Sequence, residues 1–212
     1  MISAVSAFLQ DNYELVTELT VQHLFLVGSA LGIAFTLGFS AGVIATRLPR
    51  FAAASLAVAN VGQSIPSIAV LGLVVPFLGI GVTPALVALS IRGVLPIYLN
   101  TYLGLRTLDP ASREAVTGLG MRDVQALAFV EIPLASPIIM AGVRTAAVEG
   151  VGIATLAAFI GAGGLGDLIL QGIAMMDVSR LLGGALPAAG LAIAAELLFG
   201  GIEQVLRRQY GQ

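Results

Sequence analysis

The sequence predicts an all-α, polytopic membrane protein of about five transmembrane helices, with a polar helix pair between spans three and four. Three observations carry this prediction. Hydrophobic residues make up 58% of the 212 positions and charged residues only 10%, where a soluble domain carries about 25%. Mean hydropathy is +0.99. Apolar runs of roughly 20 residues, the length that crosses ~30 Å of hydrocarbon, recur along the chain. Finally, Arg47, Arg50, Arg106, Arg113, Arg122, Arg207 and Arg208 all fall on one side if five spans alternate, as the positive-inside rule requires.

Taken in order, residues 1–20 carry Asp11, Glu14 and Glu18 and no basic residue. They read as an acidic surface extension and not as a signal peptide. The first apolar run is Leu24 to Thr46, ended by Arg47, Pro49 and Arg50. The second runs from about Leu56 to Leu78, and Gly79 to Val82 make a tight hairpin into the third. Thr83-Pro84 supplies an N-cap and a first-turn proline, and this run ends at Arg106. The polar stretch of about 106–137 follows: a helix start at Asp109-Pro110, breaks at Gly118 and Gly120, and an amphipathic helix from Met121 to Glu131 closed by Pro133 and Pro137. The fourth run is about Ile138 to Ile160, then a glycine-rich strip from Gly161 to Gly166, then a fifth run from about Leu181 to Phe199. Three regions result: an extracytoplasmic extension (1–20), a transmembrane domain (21–206) and a cytoplasmic tail (207–212). The N-terminus is expected outside, and the C-terminus and the 106–137 segment inside.

Composition excludes several functions. A net charge of −2 offers no basic surface to nucleic acid. Without Cys there are no disulfides or thiolate metal sites, and with His23 as the single His no metal site is expected. All ten basic residues are Arg. A chain without Lys cannot build a Walker A loop, so any ATP is bound by another chain.

Each motif has a chemical and a plainer reading. The 106–137 segment is a helix, a glycine-permitted turn and a second helix with an apolar face of Leu119, Val124, Leu127 and Val130. It suits docking into a groove of a cytoplasmic partner, or lying flat on the bilayer. Asn60, Gln63 and Ser64 near Pro66 form a polar break in the second span, which lines a transport path or makes a packing kink. Arg92, Glu149 and Glu196 are the ionisable residues singled out inside spans. They pair with one another to fix helix register, or line a path or gate. Tyr98 and Tyr102, one turn apart near the inner end of the third span, could share a face of that helix. Gly161, Gly163 and Gly166 match G-x-G-x-x-G, but position 186 is Leu and no βαβ unit surrounds them. With Gly164 they form an outer turn near a gate, or a simple helix terminus. Gly38-Phe39-Ser40-Ala41-Gly42 matches a nucleophile elbow, yet lies inside an apolar span. Gly38 and Gly42, like Gly28 and Gly32, fit small-residue helix packing, and His23 reads as an ordinary interface residue.

The polar segment resembles the EAA loop of ABC importer permeases. Glu114, Ala115, Gly120, Val130 and Pro133 stand at that pattern's spacings, with Val116, Val130 and Ile132 as conservative departures. Longer strings, including Asn60-Val61-Gly62-Gln63-Ser64-Ile65-Pro66-Ser67 and Ala157 to Gly166, resemble the glycine betaine/choline/carnitine (osmoprotectant) permeases. The resemblance covers roughly residues 20–205. It implies a multi-pass subunit of a bacterial or archaeal cytoplasmic membrane, paired with a second permease that is either a copy or a paralogue. It also implies two cytoplasmic ABC ATPases that bind ATP and Mg and each receive one helix pair. An extracytoplasmic binding protein would deliver the solute, and this chain would bind no cofactor. Glu114, Ala115, Gly120, Val130 and Pro133 would then be the residues that couple to the ATPase. Uptake of another small solute such as an amino acid stays open. An ion-coupled secondary transporter gives the polar segment no task, and a membrane enzyme lacks clustered His, Cys or acidic groups.

Overall fold

The computed structural model describes residues 2–210, apart from the side chains of Ile2, Arg113, Ala115 and Thr117. The expectation for Ala115 therefore extends only to its place in a helix, and the last two residues of the 207–212 tail lie outside the described residues. The described residues are helical, with turns between helices and no strand. The helices are α1 (Ile2–Asp11), α2 (Tyr13–Arg47), α3 (Pro49–Ser64), α4 (Ser67–Leu78), α5 (Val82–Arg106), α6 (Pro110–Gly118), α7 (Asp123–Ala126), α8 (Ile132–Ala157), α9 (Leu165–Ala174) and α10 (Val178–Tyr210).

α2, α5 and α8 form the centre. Along α2 and α5 the contacts climb together: Ser90 donates to the Ala30 carbonyl (3.5 Å), Gly38 abuts Val94 and Ile97, and Gly42 abuts Tyr98 and Thr101. The two helices therefore run parallel. A methyl group on Gly42 would come within 2.6 Å of Thr101 Cβ, so the backbones approach only because the side chain is absent. Gly28 and Gly32 have nothing within 4 Å of a would-be Cβ; they do not serve packing inside this chain. α8 runs antiparallel to α5, with Gly142 on Pro96 and Asn100, and Gly104 on Ala135 and Ile138.

That parallel pair settles the path of the second apolar run. α2 and α5 start at the same end, so the chain between them must return across the molecule. It does so as α3 and α4, which are bent by 103° at Ile65-Pro66. Their 16 and 12 residues reach only ~24 and ~18 Å singly and cross together. Four long apolar spans and this bent pair make up to five candidate crossings. Arg47, Arg106 and Arg207 share one end of the bundle; the Gly79–Gly81 hairpin and the 161–164 strip share the other. There the Gly81 N–H donates to the Ile160 carbonyl at 2.7 Å.

The element bounds differ from expectation in informative ways. α2 begins at Tyr13, so Glu14 and Glu18 stand in its first turns, while α1 packs on α10 with Phe8 against Gly183. α5 starts at Val82, one residue before the expected cap at Thr83. The short α9 after the glycine strip was not foreseen, and α10 continues to Tyr210, which puts Arg207 and Arg208 in its last turns. Pro133 and Pro137 do not close the polar segment, because α7 runs into α8 through a widened turn at Leu127–Glu131. There the Ile132 N–H reaches back to the Leu127 carbonyl, five residues away. A wide turn accommodates a proline ring that would clash in a regular one. The Pro133 carbonyl, which Pro137 cannot serve, accepts the Ser136 hydroxyl at 2.7 Å.

Apolar side chains such as Phe77 (85% exposed), Leu197 (71%) and Val58 (70%) cover the outside. So broad an apolar exterior suits lipid as the surrounding solvent.

Candidate functional site

At the arginine-rich end the polar segment builds an exposed turn. Asp109 Oδ1 accepts the Ala111 N–H at 3.1 Å and starts α6. Gly120 has φ +68, a left-handed conformation that a side chain disfavours, and it turns the chain from α6 toward α7. The Arg122 N–H donates to Gln125 Oε1 (3.0 Å), which fixes the start of α7. Glu114 is exposed and forms no hydrogen bond or ion pair among the described residues. The expected apolar face divides. Leu119 (77% exposed) and Val124 (76%) point away from the bundle together with Phe129 (71%). Leu127 packs on the cluster of Leu105, Ala135 and Ile139, while Val130 lines a cleft. The widened turn shifts the helical phase between Val124 and Val130, which a regular 3.6-residue period cannot anticipate. Arg47 and Glu131 join this segment to α2 by an ion pair of 2.6 Å across that cleft of about 220 Å³.

At mid-depth lies the break between α3 and α4. Asn60, Gln63 and Ser64 are exposed on the last turns of α3. Arg92 of α5 does not pair with Glu149 or Glu196. Its Nη1 donates to the carbonyls of Gly62 (3.1 Å), Gln63 (3.4 Å) and Ile65 (3.1 Å). A helix C-terminus presents unsatisfied carbonyls and partial negative charge, and a guanidinium answers both. Tyr98 and Tyr102 do stack, with ring centroids 6.4 Å apart. Tyr98 is buried, however, and its hydroxyl bonds Ser55 of α3, so its ring packs α3 on α5.

Glu196 has a partner that the sequence reading passed over. Arg144 Nε donates to Glu196 Oε2 (2.8 Å), its Nη2 to Glu196 Oε1, and its Nη1 to Glu203 Oε2 (3.1 Å). Glu203 Oε1 in turn accepts from Arg207 (2.9 Å). This network ties α8 to α10. Its signal was an arginine inside the fourth apolar run and two acids seven apart, Glu196 in the fifth run and Glu203 just beyond it. Glu149 is exposed on α8, with no ion pair among the described residues.

At the other end, Gly161, Gly163 and Gly164 have φ of +72, +80 and +81 and make a turn before α9. The Gly164 N–H donates to Gln22 Oε1 (3.3 Å). Gly166 sits hard against the Thr155 carbonyl. His23 is fully buried beneath Gly164, with Nε2 3.1 Å from the Val151 carbonyl and Nδ1 unpartnered. Among the described residues, no group of three or more His, Cys, Asp or Glu gathers as a metal site would require.

Comparison with known proteins agrees with this arrangement. The family described as binding-protein-dependent transport system inner membrane component matches residues 34–210. The carnitine transport permease protein OpuCB of Listeria monocytogenes is 40% identical over 202 residues, covering 95% of this chain and 93% of that protein. The osmoprotectant import permease protein OsmW of Salmonella typhimurium is 43% identical over 204 residues (94% and 95%). The choline transport system permease protein OpuBB of Bacillus subtilis is 38% identical over 199 (94% and 92%). Among solved structures, a chain of the inward-facing MetNI methionine ABC transporter superposes with a TM-score of 0.84 at 20% identity, covering 92% of this chain and 97% of that one. At that identity the likeness speaks for the fold.

Proposed function

Since the chain belongs to the family of binding-protein-dependent transport system inner membrane components, we propose that it forms the membrane path of an ATP-driven importer for glycine betaine, choline, carnitine or a related quaternary ammonium solute. The observation that carries the solute class is the set of relatives at about 40% identity over nearly the whole chain, which are named as carnitine, osmoprotectant and choline permeases. In this reading ATP and Mg belong to two partner ATPases, an extracytoplasmic protein delivers the solute, and a second permease, a copy or a paralogue, completes the pore. The arginine-rich end is cytoplasmic, which puts the N-terminus outside and the C-terminus inside.

The exposed α6–α7 turn is the contact for the ATPase. Leu119, Val124 and Phe129 offer an apolar surface beside Glu114, and Gly120 sets the angle between the helices. Because α7 continues into α8, a displacement there reaches the α5–α8 interface through a continuous helix and not through a flexible loop. Asn60, Gln63 and Ser64 line the path, with Glu149 on the exposed face of α8; an ionisable group at that depth calls for water or protein beside it. The 161–166 turn lies where the delivery protein docks.

The test is co-purification with the ATPase encoded beside this chain, followed by uptake of radiolabelled betaine, choline and carnitine into vesicles, with histidine and methionine as comparison solutes. We expect the ATPase to follow the wild-type chain and to be lost from Glu114→Arg and Gly120→Trp. Uptake of an amino acid and of none of the quaternary amines would overturn the solute class. Retention of the ATPase by both variants would overturn the coupling role.

A further inference from the structure

Arg92 stands out because the ion-pair reading leaves it unexplained. It projects from α5 next to Gly93, whose would-be Cβ lies 2.9 Å from Ala34 of α2 and 3.8 Å from Ala146 of α8. Its base is thus set where α5 packs closely on α2 and α8. Its head lies where α3 ends amid exposed Asn60, Gln63 and Ser64. One nitrogen, Nη1, reaches three carbonyls at the C-terminal end of α3, the last of them Ile65 in the break itself, where the chain bends by 103°. Ile65-Pro66 explains why the helix stops. The ring at Pro66 removes the N–H that would have continued the ladder and pushes Ile65 into extended backbone (ψ 126°). Proline alone, however, fixes neither the direction nor the size of the bend, and Arg92 is the side chain that grips the end where α3 stops.

We propose that Arg92 is a positioning residue, a latch that holds the broken helix α3–α4 bent against the core and so sets where Asn60, Gln63 and Ser64 face. The latch is incompletely satisfied in this arrangement. Three acceptors share a nitrogen that carries two hydrogens, and Nε is buried without a partner. A buried donor left unmet is costly, so the net grip of Arg92 on the end of α3 is weaker than its three contacts alone would give. That is the property expected of an element that moves between two states. A lysine at this position would carry the charge without the planar fork, and so would hold fewer of these carbonyls at once. The proposal takes from the transport reading only the statement that the break lies on the path; the latch itself rests on geometry.

The test uses the full chain assembled with its ATPase and binding protein in nanodiscs. The chain has no cysteine, so V58C and L73C, on exposed positions of α3 and α4, take spin labels without competition. We expect one narrow inter-label distance with Arg92 present, and a longer, broader distribution in Arg92→Gln. Maximal uptake should fall about tenfold in that variant, the scale of one lost charge-assisted hydrogen bond, at an unchanged half-saturating concentration. Arg92→Lys should fall between on both readouts. An unchanged narrow distance in Arg92→Gln overturns the latch; if uptake is nevertheless lost, the residue acts on the solute itself. Should Arg92→Gln not accumulate, Arg92→Lys decides, and an unbroadened distance there overturns the proposal. Unaltered uptake in Asn60→Ala and Gln63→Ala, alongside a broadened distance in Arg92→Gln, leaves the latch standing and removes the path reading.

Discussion

The α2–α5–α8 trio and the α3–α4 pair are made from similarly apolar sequence, yet they are held in opposite ways. In the trio, glycines and alanines let backbones meet: Gly42 on Thr101, Gly142 on Asn100, Gly93 on Ala34. Close contact over long helices gives many weak attractions and little room to shift. The bent pair has few buried side chains, polar groups on its exposed turns, and one arginine at its corner. A transporter needs both kinds of part. A packed frame gives a displacement somewhere firm to push from, and a loosely held helix gives it something to move.

The most severe way to break this contrast is to spoil the frame. In Gly42→Leu, even the first carbon of the new side chain would collide with Thr101. Overpacking typically costs ~1–3 kcal/mol, and a leucine wedged between two backbones should reach at least the top of that range. We expect aggregation or loss of the folded species in detergent by size-exclusion chromatography. Gly28→Leu, on the same helix but in open space, should leave the chain folded. If both behave alike, the frame is not set by the contact of Gly42 with Thr101.

The next effect concerns the fourth long helix. Arg144→Leu leaves Glu196 without a partner and Glu203 with Arg207 alone. The unfolding midpoint should drop by several degrees, because a carboxylate left without its cation inside an apolar span is costly. Arg144→Leu combined with Glu196→Leu should recover part of the loss. A double variant no better than the single would show that the network contributes packing alone.

A smaller effect is expected at Gly120. Left-handed backbone costs a residue with a side chain ~1–2 kcal/mol, and β-branched valine is the least tolerant. Gly120→Val should leave the bundle intact, since α6 and α7 lie outside the core. It should weaken ATPase co-purification about tenfold, as ~1.4 kcal/mol does. Lost bundle stability instead would mean that the turn belongs to the frame.

These residues also show what was legible in the sequence. The five crossings and the arginine-rich end followed from hydropathy and charge counting, because lipid imposes both along the chain. The break near Pro66 was visible too, since proline and polar residues interrupt a span for reasons carried in the residues themselves. Arg92's role was not visible, because its acceptors are backbone carbonyls and every residue type has one. The Arg144 network was missed because an arginine and two acids gain meaning only when α8 and α10 are known to run side by side. The fusion of α7 with α8 escaped because prolines at 133 and 137 signal a stop unless a widened turn accommodates them.

The smallest expected effect asks whether the 106–137 segment belongs to the frame or to the moving part. Arg47 of α2 meets Glu131 of the widened turn at 2.6 Å, and Arg47 is 45% exposed. An ion pair so open to water contributes only ~0–1 kcal/mol and weakens as salt rises. Glu131→Gln should therefore leave the unfolding midpoint almost unchanged. If the segment moves with a partner, it must detach from α2 at low cost, and a weak pair is what such a joint requires. Hydrogen exchange makes the distinction: amides of α6 and α7 should exchange several-fold faster in Glu131→Gln, while those of α2 and α5 keep their protection. Equal acceleration in α2 would show that the pair holds the frame itself, and the division between a rigid core and a movable coupling segment would have to be redrawn at the widened turn.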